Sequence, residues 1–256
     1  MKLTRRTFIT IGALSTVSAI LPKSVSASES NKIQAIAFDG FVIFDPRPIF
    51  ILASELYPEQ GKELSKLWLS KQFGYTWLLS SAGEYQDFWK VTENALDYAA
   101  QSLSIALTQT NRNKLMHAYL NLQAWPDAKA ALEQLRANNI RLAFLSNFTE
   151  QMMVANIKSA GLEGIFEFSL STDRVQVYKP SPKAYQMGLG AFGLAKSEVL
   201  FAASAGWDSV GATWFGYPTV WVNRLKMPAE HIGHPPLLET TNMSGLLQLA
   251  VLNNKS

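Results

Sequence analysis

Four polar positions have residue types that could carry out chemistry: Asp39, the pair Ser146 and Asn147, Lys179, and Asp208. Asp39 ends an apolar run at 33–38, which is typical of a buried strand in a parallel sheet. A carboxylate there can act as a nucleophile, but a buried carboxylate needs a cation beside it to stay ionised. We predict that Lys179 supplies this cation. The alternative, that Asp39 only caps a helix or a turn, stays open on this residue alone.

From about residue 125 onwards the chain alternates between helical and strand patterns. Short apolar runs predict strands at 141–145, 166–171, 199–203 and 217–222. Helical patterns are found at 127–138, 150–160, 182–192, 209–215 and 244–251. The alternation predicts an α/β fold with a Rossmann-like, doubly wound parallel sheet. Because the carboxyl ends of such strands meet at one crevice, the four polar positions should converge there.

The segment 46–122 interrupts this alternation directly after the first strand. Its apolar residues repeat at helical spacing, as Leu64, Leu67 and Trp68 do, and it is rich in aromatic residues. We therefore predict a helical cap at 46–122, inserted into a core formed by 32–45 and 123–256. Most of the aromatic side chains should fill the interior of the cap, and a minority should line a pocket against the core.

The composition excludes several classes of site. The chain has 256 residues and no cysteine, which rules out a cysteine nucleophile, disulfides and thiolate metal sites. Its formal charge of +3 arises at the N-terminus, because residues 1–27 hold four cationic residues and no acidic one. The remainder has a formal charge of about −1 and no stripe of basic residues, so we predict no binding to nucleic acid.

The N-terminal residues predict export from the cell. Arg5 and Arg6 precede an apolar stretch at 9–21 that is too short for a membrane span. Small residues follow at 25–27, and the whole of 1–27 resembles a cleaved twin-arginine signal. Such a signal implies that the twin-arginine machinery exports the folded protein to the periplasm or the cell exterior. An uncleaved basic anchor is the alternative.

Five segments carry a resemblance to a known family. The sequence resembles the haloacid dehalogenase superfamily and, within it, the type II L-2-haloacid dehalogenases. The matching segments are Ala37-Phe38-Asp39, Tyr75-Thr76-Trp77-Leu78, Leu142-Ala143-Phe144-Leu145-Ser146-Asn147, Val175-Gln176-Val177-Tyr178-Lys179-Pro180 with Tyr185, and Gly206-Trp207-Asp208 with Trp221-Val222-Asn223-Arg224.

The resemblance implies catalytic roles for three residues. Asp39 would displace halide from C2 of a 2-haloalkanoic acid and form an ester. Asp208 would position or activate the water that hydrolyses this ester. Lys179 would keep Asp39 ionised and oriented, although the alternative of an exposed loop lysine stays open.

The resemblance also implies a substrate site for a small carboxylate. Ser146 and Asn147 would bind the substrate carboxylate or the second oxygen of the nucleophile. Tyr185 would contact Lys179 or the substrate. The substrate-binding residues of this interpretation are Ser146, Asn147, Tyr185, Phe41 and Trp207. Ordinary packing is the alternative for Tyr185 and Trp207.

Phe41 bears on the use of a metal. Phosphatases of this superfamily carry a second Asp two positions after the nucleophile, beside a bound Mg²⁺, and it serves as general acid. Phe41 occupies that position here, which disfavours phosphoryl transfer. Halide leaves without a proton, so we predict displacement at carbon with no metal and no other cofactor.

Other positions depart from the family pattern. The loop after Asp39 is one residue shorter than usual and lacks a Thr that normally supports the nucleophile. Leu69 replaces a cap Arg that receives the departing halide, while Ala203 and Ala205 replace a Ser and an Asn. Ser204 should face away from the site if the strand alternation continues through it. Arg47 is our candidate for the missing cation.

These departures leave other functions open. A related hydrolase such as a phosphatase would depend on Mg²⁺, and a non-catalytic descendant would bind a small carboxylate or a partner only. We also expect a possible homodimer through the cap, for which Trp68, Trp77 and Trp89 could supply an interface.

Overall fold

The computed structural model describes residues 32–252, and the predicted signal at 1–27 lies outside them. Six parallel strands form one sheet in the order β3-β2-β1-β4-β5-β6, so the fold is α/β as predicted. The strands are β1 Ala35–Phe38, β2 Arg141–Ser146, β3 Phe168–Ser171, β4 Val199–Ala203, β5 Thr219–Val222 and β6 Leu238–Thr240.

Apolar side chains cover both faces of the sheet. Alternate residues of β1, β2 and β4 join two separate buried clusters; in β1, Ile36 and Phe38 belong to one, and Ala35 and Ala37 to the other. Because both faces of β1 are buried, its sequence is a continuous apolar run and does not alternate between apolar and polar residues. In the centre of the sheet, Phe38 pairs with β2 on one side and with β4 on the other, so the loops after these three strands are neighbours.

Ten helices accompany the sheet within residues 32–252. Six of them lie between β1 and β2, and the first five of these are α1 Gly40–Ile43, α2 Arg47–Leu56, α3 Gly61–Ala82, α4 Phe88–Ser102 and α5 Gln109–Ala118. The others are α6 Ala128–Ala137, α7 Glu150–Ser159, α8 Pro182–Phe192, α9 Gly206–Phe215 and α10 Met243–Leu252. None of the helices in this part of the chain is long and apolar enough to cross a membrane.

The helices α2 to α5 fall within the segment predicted as the cap, whose exact boundaries stay a prediction. The indole of Trp68 in α3 is only 1% exposed, and its N–H donates to the carbonyl of Thr92 in α4 at 2.8 Å. Trp68 therefore packs inside the helices and is not available for a dimer interface, contrary to that expectation. Trp77 is 42% exposed and remains a candidate for such an interface.

Two of the differences from the sequence prediction concern helix α9 and strand β6. Helix α9 begins at Gly206, three residues before the predicted start, because the pattern gave no weight to a glycine in a first turn. Strand β6 was not predicted, since three residues at a sheet edge are too few for a periodic signal. Its pairing with β5, Val220 opposite Leu238, depends on tertiary contact rather than on local sequence.

Candidate active site

Asp39 lies directly after β1, and three donors hold its carboxylate. The Nζ of Lys179 donates to Oδ1 at 2.8 Å. The backbone N–H of Phe41 and the hydroxyl of Ser204 donate to Oδ2 at 3.0 and 2.6 Å. Asp39 is also the N-cap residue of α1, so it both caps a helix and pairs with a cation. These contacts fix the direction of the carboxylate oxygens.

Lys179 joins the two carboxylates of the site. Its Nζ also donates to Oδ2 of Asp208 at 2.6 Å, and the side chains of both residues are almost fully buried. Burial alone would lower the pKa of Lys179, but the charges of Asp208 and Asp39 outweigh it and raise that pKa. The ammonium therefore stays charged, and the alternative of an exposed loop lysine is wrong.

Asp208 lies in the first turn of α9, and its side chain is almost fully buried. Its burial, opposed by Lys179, raises the pKa of its carboxyl to about 6. The hydroxyl of Tyr185 donates to Oδ1 at 2.7 Å, and burial raises the pKa of this phenol well above its ordinary value. Asp208 is thus a carboxyl that can exchange a proton near neutral pH, which suits a general base.

A close helix contact brings Asp208 to Lys179. A Cβ atom on Gly211 of α9 would lie 2.5 Å from the side chain of Pro180 and 2.6 Å from the hydroxyl of Tyr185. A real side chain does not fit in that space, so glycine allows α9 to pack directly against the segment that carries Lys179.

Ser146 ends β2, which lies on the opposite side of β1 from β4, and Asn147 follows it directly. The side-chain oxygen of Asn147 accepts the backbone N–H of Lys179 at 3.1 Å, and the hydroxyl of Ser146 accepts the N–H of Phe148 at 3.2 Å. The side-chain nitrogen of Asn147 is buried and has no hydrogen-bond partner in residues 32–252. It is therefore a donor available to a ligand.

A cavity of about 320 Å³ opens onto Asp39, and most of its lining is apolar. Charged and polar groups lie at a few positions, among them Asp39, Asp208 and Arg224. The apolar part of the lining comes from both the core and the inserted helices. It includes Phe41, Phe50, Leu69, Phe73, Phe88, Trp125, Phe148, Trp207, Val222, Leu225 and Met227.

Most of the residues predicted for the site come together around this cavity. Six of them line it, and Lys179 contacts both carboxylates. The six are Asp39, Phe41, Ser146, Asn147, Trp207 and Asp208. Tyr185 was predicted to contact Lys179 or the substrate, but it is buried, is not among the lining residues and contacts Asp208 instead.

The expectation for Ser204 is wrong. Strand β4 ends at Ala203, so the alternation of side chains does not extend to Ser204. Its hydroxyl donates to Asp39 instead of facing away. Ala205, which replaces the family's Asn, does line the cavity, and so does Leu69, which replaces the cap Arg.

The expectation for Arg47 is also wrong. Its guanidinium pairs with Asp45 at 2.7 Å, its side chain is 55% exposed, and it is not among the lining residues. The cation that lines the cavity is Arg224, which follows β5. Its position after a strand was a signal for it in the sequence, but its role was not predicted. Among residues 32–252, no three His, Asp or Glu side chains cluster as metal ligands would.

Known proteins resemble this chain over most of its length. The family model described as haloacid dehalogenase-like hydrolase matches residues 29–216. The (S)-2-haloacid dehalogenase of Pseudomonas sp. (strain YL) is 38% identical over 85% of this chain and 94% of its own. Haloacetate dehalogenase H-2 of Moraxella sp. (strain B) is 35% identical over 85% of this chain and 98% of its own. The structure of the L-2-haloacid dehalogenase of Xanthobacter autotrophicus with chloropropionic acid covalently bound superposes on this chain with a TM-score of 0.79. The two sequences are 29% identical, and the match covers 85% of this chain and 98% of the Xanthobacter chain.

Proposed function

We propose that this chain, which belongs to the family of haloacid dehalogenase-like hydrolases, hydrolyses (S)-2-haloalkanoic acids to 2-hydroxy acids through an ester on Asp39. The observation that carries the proposal is the carboxylate of Asp39, held by Lys179 at 2.8 Å and open to an apolar cavity. The names of the relatives support this choice of substrate.

The first step is displacement at carbon. An ionised carboxylate has about four lone-pair sites, two on each oxygen. Phe41 and Ser204 use both sites on Oδ2, whereas Lys179 uses one on Oδ1. We assign the attack on C2 to Oδ1, which retains a free lone pair. The O–C2 bond forms while the carbon–halogen bond breaks, and the halide leaves with the bonding electrons and without a proton.

The second step is hydrolysis of the ester. Asp208 removes a proton from water, and the resulting hydroxide attacks Cγ of Asp39. The ester carbonyl oxygen is then Oδ2, and the negative charge that develops on it is stabilised by the N–H of Phe41 and the hydroxyl of Ser204. The bond from Cγ to Oδ1 breaks, the 2-hydroxy acid takes up the proton and leaves, and Asp39 is regenerated.

The apolar lining supports the displacement step. Water solvates a free carboxylate strongly and weakens it as a nucleophile, so a cavity with few polar groups favours attack. Inversion at C2 follows from attack opposite the halogen, so an (S)-2-haloacid would give an (R)-2-hydroxy acid. The covalently bound chloropropionic acid in the Xanthobacter relative is consistent with an ester intermediate.

The test is halide release from racemic 2-chloropropionate by the purified mature protein in the presence of a chelator. We expect release of half of the chloride, with the (S) enantiomer consumed, and no release by Asp39→Asn. Asn is nearly the same size as Asp but is not an anionic nucleophile. A folded wild-type protein that releases no halide would instead support the non-catalytic alternative, and release only with added Mg²⁺ would support a different hydrolase.

We also propose that 1–27 directs export of the folded protein, on the basis of the sequence pattern alone. The measurement is the location of the full-length chain in fractionated bacterial cells. Wild type should be found in the periplasm or the medium, and replacement of both Arg5 and Arg6 by Lys should retain it in the cytoplasm. An unchanged location in that variant would contradict the proposal.

A further inference from the structure

The charges around the cavity pose a problem for an anionic substrate. Asp39 and Asp208 line the cavity, and the single ammonium of Lys179 is shared between them. Without another cation this group has a net negative charge, which opposes the carboxylate of the substrate nearby. Leu69 lines the cavity but carries no charge. Among residues 32–252, Arg224 is the one cation in the lining.

The guanidinium of Arg224 is held firmly. Its Nε and Nη2 donate to the carbonyl of Val42 at 3.2 and 3.1 Å, and its Nη1 donates to Asp127 at 2.8 Å. It lies 4.8 Å from the ring centroid of Trp125, and its side chain is 8% exposed. A buried guanidinium in a fixed orientation loses little entropy when it binds an anion.

Part of this guanidinium is still free. Arg has five N–H donors, and three of them are used by Val42 and Asp127. One N–H on each of Nη1 and Nη2 has no acceptor in the described part of the chain. Two N–H groups on the terminal nitrogens match the two oxygens of a carboxylate. A spherical halide would use this fork less well.

We infer that Arg224 binds the carboxylate of the substrate. The inference rests on the proposed function for the identity of the substrate. It assigns the carboxylate end of a 2-haloacid to the side of the cavity formed by Arg224 and Trp125, while C2 faces Asp39. Arg224 thereby selects a halogenated carboxylic acid as the substrate over an uncharged halogenated compound.

A second role for Arg224 must be separated from this one. Its contacts with Val42 lie in α1, the helix that follows the nucleophile, so its loss could displace Asp39 instead of removing a substrate contact. Displacement of the nucleophile would affect charged and neutral ligands alike. Loss of a carboxylate contact would affect charged ligands only.

The experiment compares the binding of propionate and propionamide, which differ in charge but hardly in size. Dissociation constants are measured by calorimetry for wild type, Arg224→Met, Arg224→Lys and Arg47→Met. Arg47 is the matched control, because its guanidinium lies 4.5 Å from the same Trp125 ring but does not line the cavity. Thermal unfolding of each variant verifies that it is folded.

We expect Arg224→Met to weaken propionate binding about ten- to hundredfold, as for loss of a charge-assisted hydrogen bond, and to leave propionamide unchanged. Arg224→Lys should be intermediate, and Arg47→Met should match wild type. Equal weakening of both ligands, unchanged binding of propionate in Arg224→Met, or no propionate binding by wild type would overturn the inference. Because binding needs no turnover, a protein that binds propionate through Arg224 but releases no halide would refute the proposed function alone.

Discussion

Ser204→Ala should separate the two halves of the reaction. In the displacement step its hydroxyl stabilises the ground-state carboxylate of Asp39, so its removal should not slow attack on C2. In the hydrolysis step the same hydroxyl donates to Oδ2, the oxygen on which negative charge develops. The variant should therefore form the ester at least as fast as wild type and hydrolyse it more slowly.

The magnitude follows from the contacts of Asp39. Within residues 32–252, two donors reach Oδ2, Phe41 at 3.0 Å and Ser204 at 2.6 Å, so the variant loses one of these two contacts on that oxygen. A hydrogen bond to a charged oxygen contributes about 2–3 kcal/mol. Hydrolysis should then slow by roughly 30- to 150-fold.

The assay is rapid-quench measurement of halide and 2-hydroxy acid during the first turnover. Ser204→Ala should release one halide per active site in a burst, followed by a slow steady rate, and the esterified protein should be visible by mass spectrometry. Ser209→Ala is the control, since Ser209 is a buried serine of α9 whose hydroxyl has no hydrogen-bond partner in residues 32–252. A uniform slowing of halide and product, with no ester, would refute this assignment of Ser204.

Three further predictions concern charge, pH and substrate size. Lys179→Met leaves two buried carboxylates without their cation. Halide release should be lost, and the free energy of unfolding in urea should fall by about 3–5 kcal/mol. An unchanged free energy of unfolding would contradict the buried ion pair. Burial raises the pKa of Asp208 to about 6, so ester hydrolysis should slow as the pH falls through that value and this carboxyl takes up a proton. The burst of halide release should persist over the same pH range. A burst that declines in parallel with hydrolysis would show that another group titrates. The apolar cavity of about 320 Å³ leaves space beyond a 2-halopropionate. The kcat/KM should therefore rise by up to about fourfold for each methylene added from 2-chloropropionate to 2-chlorohexanoate. A fall in kcat/KM at the first added methylene would contradict this prediction.

The sequence was sufficient to predict five of the six strands of the sheet and the main charges of the site. Apolar runs without alternation indicate buried parallel strands, and the rule that their carboxyl ends meet predicts that Asp39, Lys179 and Asp208 lie close together. In the structure the ammonium of Lys179 contacts the carboxylates of both Asp39 and Asp208. Long-range arrangement was predictable here because it follows from strand topology.

The remaining contacts depend on where each element ends. Ser204 faces Asp39 because β4 ends one residue before it, and element boundaries are the least predictable feature of a sequence. Arg47 is near the site in sequence but pairs with Asp45, whereas Arg224 reaches the cavity from the far end of the chain. Side-chain direction in a loop is set by tertiary partners such as Trp125, which local patterns do not encode.

A single turnover in water enriched in oxygen-18, with enzyme in excess over (S)-2-chloropropionate, tests the covalent role of Asp39 most directly. Hydrolysis at Cγ transfers the oxygen of water to the carboxylate, and the oxygen of the product comes from Asp39. We predict one oxygen-18 atom in the peptide that contains Asp39 and an unlabelled 2-hydroxy acid. Label in the 2-hydroxy acid and none in that peptide would mean that water attacks C2 directly and that Asp39 is not the nucleophile.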